Sequence, residues 1–481
     1  MQQDCLPGKV GRFSPFTPIP GIRSCVAIDE HGDNQVYDCV RNAFIRMGYD
    51  KEHQGTPQWN PLTDMIAPGN TVLIKPNLVH DYNKSHDTVE CLYTQPGVIA
   101  AVLDYVFLAL GNTGCVIVGD APMQECNFEK LVAQSGLDRM IAFYKERGLN
   151  LRLADFRSVV TVQENSVHHY LYRDQKGKVI DLGEKSEFSA LSAEENLRLR
   201  KGANDPADLH EHHNETKHEY EVCNELLQAD VVIDMPKPKC HMKAGVTIAL
   251  KNMVGINVRK EYLPHHTEGD KQSGCGDAYE KKSCIKRLRA KARDEAYIQA
   301  IKKRYGLSYL MVQTRRACAL FVRWLAKDKL TEGTWYGNET IAKTIVDLNK
   351  IVKYADKNGV LTNEPQRKRL IVADLIVSGE LKGPLAPTSK PVGAIAVGQC
   401  PVCFDETIAT LMGADVSWIP TLRNARNVRA EMPLAECDCA TILSDNDQWN
   451  EKTWRELTPD QTWKFRAIDT WSKAFFSGRN K

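Results

Sequence analysis

The chain has 481 residues, too many for one minimal core, and this length points to two or three domains. Charged residues make up 26% and hydrophobic ones 42%, as in soluble globular proteins, and the net charge of +2 gives no global field that would draw nucleic acid. No run of about 18 apolar residues occurs, the first residues lack an apolar stretch with a cleavage pattern, and the 15 cysteines are scattered. A spanning helix, a secretory signal and a disulfide framework are therefore not expected, and the expected compartment is the cytoplasm.

Residues 1–21 are rich in Pro and Gly and are expected to lie extended over the surface. Ile22–Ile28 reads as a first strand, and Asn34–Met47 as a helix with Val36, Val40, Phe44 and Met47 on one stripe. Pro68-Gly69-Asn70 opens a strand over Thr71–Ile74 that ends in Lys75-Pro76-Asn77. Pro96–Leu110 is a helix, Cys115–Val118 a strand ending in Gly119-Asp120-Ala121-Pro122, Phe128–Ser135 and Leu137–Lys145 are helices, and Leu151–Ala154 is another strand. This alternation predicts an α/β fold, a mostly parallel sheet flanked by helices. Ligands of such sheets sit beyond the carboxyl ends of the strands.

Val167–Asp174 and Val179–Leu182, joined across residues 175–178, suggest a hairpin. Residues 185–220 are polar and carry His210, His212, His213 and His218, which read as a solvated helix or loop rather than a metal site, since metal sites need convergent ligands and a supporting shell. The densest stretch is 229–255. It begins as a strand at Val231-Val232-Ile233, continues into a turn with Lys237, Lys239, His241 and Lys243, and closes with an apolar run ending in Lys251 and Asn252.

Residues 261–334 read as a basic helical insertion; Tyr309–Lys329 mixes apolar residues with Arg315, Arg316, Arg323, Lys327 and Lys329. Its basic face reads as solvated, with peripheral membrane contact through 309–330 as the lesser alternative. The α/β rhythm resumes with a helix over Thr340–Tyr354, strands over Leu370–Val377 (carrying Asp374) and Val392–Val397, and a helix from Cys400 to Met412-Gly413. Residues 22–260 and 335–425 are thus two parts of one α/β body, and 426–481 is a tail with four tryptophans expected to pack on it.

Lysines at strand ends are compact, movable cations suited to phosphate or carboxylate. Lys75, Asn77, Lys237, Lys239, Asn252 and Arg259 are the expected binding residues for a small anionic, phosphate- or carboxylate-bearing metabolite. His241, Lys251 and Asp120 are the catalytic candidates. Crowding of cations lowers a lysine pKa towards that of a usable base and keeps a histidine neutral, fit for general-base or metal-ligand duty. Asp120 would orient His241, bind a metal or cap the next helix. The competing expectation is that these lysines pair with Asp120, Asp374 and Asp405 in structural ion pairs. No G-x-G-x-x-G after a strand, no Walker A sequence and no G-x-S-x-G occurs, so dinucleotide, P-loop and esterase chemistries lack their signatures. A metal-dependent isomerase or racemase is a narrower variant that nothing in the sequence selects.

Lys75-Pro76-Asn77, Thr94-Gln95-Pro96, Gly119-Asp120-Ala121-Pro122, Pro238-Lys239-Cys240-His241, Leu250 to Gly255, Trp335-Tyr336-Gly337-Asn338, Gly383-Pro384 and Pro401 to Asp405 occur in this order. In them the chain resembles the domain-of-unknown-function 362 family over roughly residues 22–425. The resemblance implies no assigned activity. Many members carry a ferredoxin-like iron–sulfur segment, whereas this chain has no C-x2-C-x2-C-x3-C-P run. The late family motif usually reads Asp-Pro-Val-Ala-x-Asp; here Cys400 and Cys403 replace its first Asp and its Ala, and Asp405 keeps the last acidic position. Longer members with the Trp-Tyr-Gly-Asn helix resemble polysaccharide-cluster proteins, so a sugar-derived metabolite is one expectation. Cys400 and Cys403 could form a four-thiolate zinc or iron–sulfur site with Cys437 and Cys439, hold a divalent metal together with Asp405, or act as a redox pair; unremarkable buried thiols are the preferred reading. A non-catalytic metal carrier or assembly factor, using these cysteines or the basic insertion, is the alternative function.

Overall fold

The computed structural model describes residues 35–476, save 57, 112, 203–204 and 327–331, with their side chains except those of 323–326. The expected segment 1–21, the Ile22–Ile28 strand and the basic residues Arg323, Lys327 and Lys329 fall outside that description. Among the described residues eight strands make the main sheet: β1 (Thr71–Pro76), β2 (Cys115–Asp120), β3 (Leu151–Asp155), β4 (Val231–Met235), β5 (Lys239–His241), β6 (Gly245–Thr247), β7 (Lys368–Lys382) and β8 (Ala386–Gly398). Their order is β6-β5-β7-β4-β1-β2-β3, with β8 alongside β7. The pairs from β7 through β4, β1 and β2 to β3 are parallel, as is β5 with β7, while β5–β6 and β7–β8 are antiparallel. The mostly parallel sheet read from the sequence is the fold, and strands from both sides of residues 261–334 enter it.

The described helices that matter here are α1 (Gln35–Arg46), α2 (Pro96–Leu110), α3 (Phe128–Ser135), α4 (Leu137–Lys145), α5 (Cys284–Ile301), α6 (Tyr305–Ala326), α7 (Thr340–Tyr354) and α8 (Pro401–Met412). Side chains alternate along β1 because successive Cβ atoms leave a strand on opposite faces. Val72 and Ile74 bury against the layer of α1 to α4, while Leu73 buries on the other face with Leu348, Ile351 and Val352 of α7. Each such side chain contributes roughly 1.5–3 kcal/mol on leaving water, so the two cores clamp the sheet from both sides.

The expected hairpin joining Val167–Asp174 to Val179–Leu182 does not form. Val167–Tyr172 instead pairs with Val159–Glu164, and Lys178–Asp181 pairs with Glu219–Val222. The tight turn is Asn165-Ser166, both at positive φ (48° and 69°), the twist that a two-residue hairpin turn requires. This hairpin leans on α5 and α6, which pack against each other as an arm inside the 261–334 segment. Leu307, Tyr309, Leu310, Leu320 and Phe321 are exposed on that arm. Among the described residues no helix is long and apolar enough to cross a membrane.

The tail packs on the body, as expected. Trp471 is buried and its Nε1 donates to Met242 O at 2.7 Å; Trp449, Phe465 and Phe475 bury with Ile408 and Met412 of α8.

Candidate functional site

β4 stops because Pro236 and Pro238 flank Lys237, and proline has no N–H to continue a ladder. The chain steps sideways: Pro236 O accepts from Asp374 N of β7 at 3.0 Å, and β5 resumes next to β7 at Lys239↔Gly379. The step carries Lys237, Lys239 and His241 across the carboxyl ends of β1, β4 and β7. Gly245 closes the β5–β6 turn at φ 79°, where a side chain would be strained and would also meet the Trp471 ring.

Two of the expected binding lysines are ion-paired and buried. Lys75 Nζ lies 2.6 Å from Asp120 Oδ1, and Lys237 Nζ lies 2.9 Å from Asp374 Oδ2. Lys75 also donates to Pro76 O at 2.7 Å and to Asn252 Oδ1 at 3.4 Å, while Asn252 Nδ2 donates to Asp234 Oδ1 at 2.7 Å. Asp234 in turn holds Arg369 at 2.6 Å. Gly255 packs on this pair so closely that a Cβ there would collide with Asp120 Oδ1 and Lys75 Nζ. Lys75, Asp120, Asn252 and Gly255 therefore form the floor beneath the strand ends.

Asp120 does not orient His241. Its second oxygen accepts from Leu78 N at 2.7 Å. His241 Nδ1 accepts from two backbone amides, Lys243 N and Ala244 N, both at 3.0 Å. Amides only donate, so Nδ1 carries the lone pair and the proton of the neutral ring sits on Nε2. Burial, then Lys251, His265 and Lys243 nearby, hold its pKa well below the ordinary value. In this arrangement His241 is a hydrogen-bond donor, not the general base or metal ligand that the sequence suggested.

The ring able to act as a base is His265, which sequence reading passed over. Its Nδ1 faces Leu263 O at 2.8 Å and must donate to it, which leaves the lone pair on Nε2. Burial and then Lys243 hold this imidazole neutral. The signal was present in Trp335-Tyr336-Gly337-Asn338: Asn338 Nδ2 donates to His265 O at 3.0 Å, and Trp335 Nε1 donates to Asp277 O at 2.8 Å. That motif pins the loop that presents His265.

Around these two rings stand lysines that no carboxylate pairs with among the described residues. Lys239 Nζ has only neutral acceptors, Asn77 Oδ1 at 2.5 Å and Leu92 O at 3.1 Å. Burial first, and Lys237 second, depress it to about 7. Lys260 donates to Ala121 O and Pro122 O, both at 2.6 Å, and burial depresses it to about 7. Lys251 Nζ makes no hydrogen bond or ion pair among the described residues; burial and then Lys75 bring it to about 8. Lys243 lies 3.4 Å from His266 Nδ1, and burial and then Arg293 bring it to about 8.

The remaining candidates lie elsewhere. Arg259 sits 3.8 Å from Glu261 and over the Tyr262 ring. Asp405 caps the short helix Ala249–Asn252, accepting from Ala249 N at 2.8 Å and Leu250 N at 2.9 Å, and is no partner of the cysteines. Cys400 and Cys403 are joined by Cys437, and Cys439 is not part of that group. The histidines of 210–218 have protein partners: His212 meets Glu219 at 2.7 Å, and His213, pushed down to about 3 by burial, meets Tyr262 O at 2.7 Å. A cavity of about 270 Å³ lies under the arm, between His168, Tyr297, Arg289, Arg315 and Arg316, and none of the strand-end lysines lines it.

No curated protein and no solved structure matches the chain. Residues 72–173 and 157–410 match the family described as Domain of unknown function (DUF362). The match spans the sheet, Lys239, Lys251, Lys260 and His265, and the chain belongs to that family.

Proposed function

We propose that the strand-end cluster binds a small metabolite bearing phosphate or carboxylate groups and supports proton transfer on it. The observation that carries this reading is the set of buried or half-buried lysines, Lys239, Lys243, Lys251 and Lys260, without a carboxylate partner among the described residues. A buried cation without a counter-charge is costly and its lowered pKa records that cost. A bound anion would supply the missing charge. Lys75 and Lys237 are already neutralised by Asp120 and Asp374, so they serve as floor and support and not as the clamp.

The chemistry available is acid–base. Near neutral pH, Lys251 and Lys239 exist as a mixture of ammonium and amine, which suits proton transfer. His265 offers a lone pair at Nε2, and His241 offers Nε2–H as an uncharged donor towards a developing oxyanion. Family resemblance adds sugar-derived anions to the substrates worth trying. The test is calorimetric titration of the protein with a panel of phosphorylated and carboxylated metabolites, sugar phosphates included, repeated on Lys239→Met and Lys251→Met. Binding weakened at least tenfold in both variants supports the reading; ligands bound equally well by wild type and variants would sink it.

A further inference from the structure

We infer that Cys400, Cys403 and Cys437 form a thiolate site for a soft divalent cation, zinc above all, apart from the lysine cluster. The three sulfurs lie within 4.8 Å of one another, though Cys437 is 34 residues from Cys403. Zinc bound to tetrahedral thiolates at about 2.3 Å spaces its sulfurs about 3.8 Å apart. The Cys403–Cys437 separation is 3.0 Å, so shifts of about 1 Å bring the three sulfurs onto one ion. The sequence pairs Cys437 with Cys439, but only Cys437 reaches the group.

The surroundings suit a thiolate-rich ion. Cys400 is the N-cap of α8 and Cys403 lies in its first turn, where unpaired amides favour negative charge. Glu436 N donates to Cys400 Sγ at 3.4 Å, and Arg426 Nη2 donates to Cys403 Sγ at 3.4 Å while its Nη1 donates to Cys437 O at 2.6 Å. N–H groups aimed at sulfur and a cation beside it are the support that orients metal ligands. Three thiols that bind one Zn²⁺ release three protons and leave the site with one net negative charge; Arg426 lies beside it, its guanidinium shared with the Glu406 carboxylate.

The site has a structural purpose as well. Residues 427–440 have almost no regular secondary structure; the buried Met432 and Leu434, Tyr354 OH and Lys353 Nζ on Pro433 O (2.7 and 3.1 Å) and the Lys353–Glu436 and Arg455–Asp438 ion pairs (3.0 and 2.7 Å) are among the contacts that hold them. An ion shared between Cys437 and α8 clasps this segment to the body. Cys437 is exposed, which leaves the fourth coordination position open to water or to a ligand.

The test uses full-length protein purified under reducing conditions without added metal. Elemental analysis should find about one zinc per chain. Stripping the zinc and titrating Co²⁺ should give the intense near-ultraviolet sulfur-to-cobalt band of a thiolate site, a readout that needs no variant. Cys437→Ser and Cys400→Ser should each lower the zinc affinity at least tenfold, and Cys439→Ser should leave it unchanged. Metal-free protein that gives no sulfur-to-cobalt band, zinc retained by Cys437→Ser, or a Cys403–Cys437 disulfide in place of metal in the reduced preparation would each overturn the assignment.

Discussion

Replacing Lys239 by methionine keeps the length of the side chain and removes its charge. Lys239 titrates at about 7 instead of 10.5. At about 1.4 kcal/mol per unit, holding it charged costs the fold on the order of 5 kcal/mol at pH 6. Its folded pKa lies below its unfolded one, so this cost is fully present below about pH 7 and fades as the pH rises towards 10.5. At pH 9 the same arithmetic leaves about 2 kcal/mol. The variant also loses the hydrogen bonds to Asn77 and Leu92, together worth roughly 2–3 kcal/mol at any pH. Lys239→Met should therefore be more stable than wild type by about 2 kcal/mol at pH 6 and equal or slightly less stable at pH 9. Urea denaturation of both proteins at the two pH values measures this. The change in the stability difference, roughly 2.5 kcal/mol, cancels the hydrogen-bond contribution and isolates the charge. A stability difference that does not move with pH would show that Lys239 is an ordinary solvated cation and would remove the electrostatic basis of the proposed anion site.

Asp120→Asn strands the Lys75 ammonium in the interior and should destabilise the fold by roughly 3–5 kcal/mol, seen as a large drop in the denaturation midpoint; a loss under 1 kcal/mol would mean that the pair is dispensable. Gly255→Ala drives a methyl group into that pair and should cost on the order of 1–3 kcal/mol, measured in the same way. Nitrogen NMR of the imidazoles should find His241 protonated at Nε2 and His265 at Nδ1, both neutral at pH 6; either ring titrating near its ordinary value would contradict the burial that lowers it. Because the lysines that titrate at about 7 to 8 gain charge when a counter-ion arrives, anion binding near pH 8 should take up protons, which calorimetry in buffers of different ionisation enthalpy detects.

The order of residues already specifies the α/β sheet, because strand, polar turn and helix alternate with apolar periods that local chemistry enforces. It delimited Pro96–Leu110 and Thr340–Tyr354 to the residue, whereas Lys251, expected at a strand end, lies in the short helix Ala249–Asn252. It also anticipated structural ion pairs, which Lys75 and Lys237 turn out to form. Tertiary structure decided the rest. Which nitrogen of His241 bears a proton depends on two amides folded back in the Lys243–Ala244 turn, a detail that no spacing encodes. His265 and Cys437 entered their sites because distant segments converge, one held by Asn338 and the other brought beside α8. Contacts across many residues follow from packing and burial, whereas a local pattern reports only what the backbone can do within a few residues.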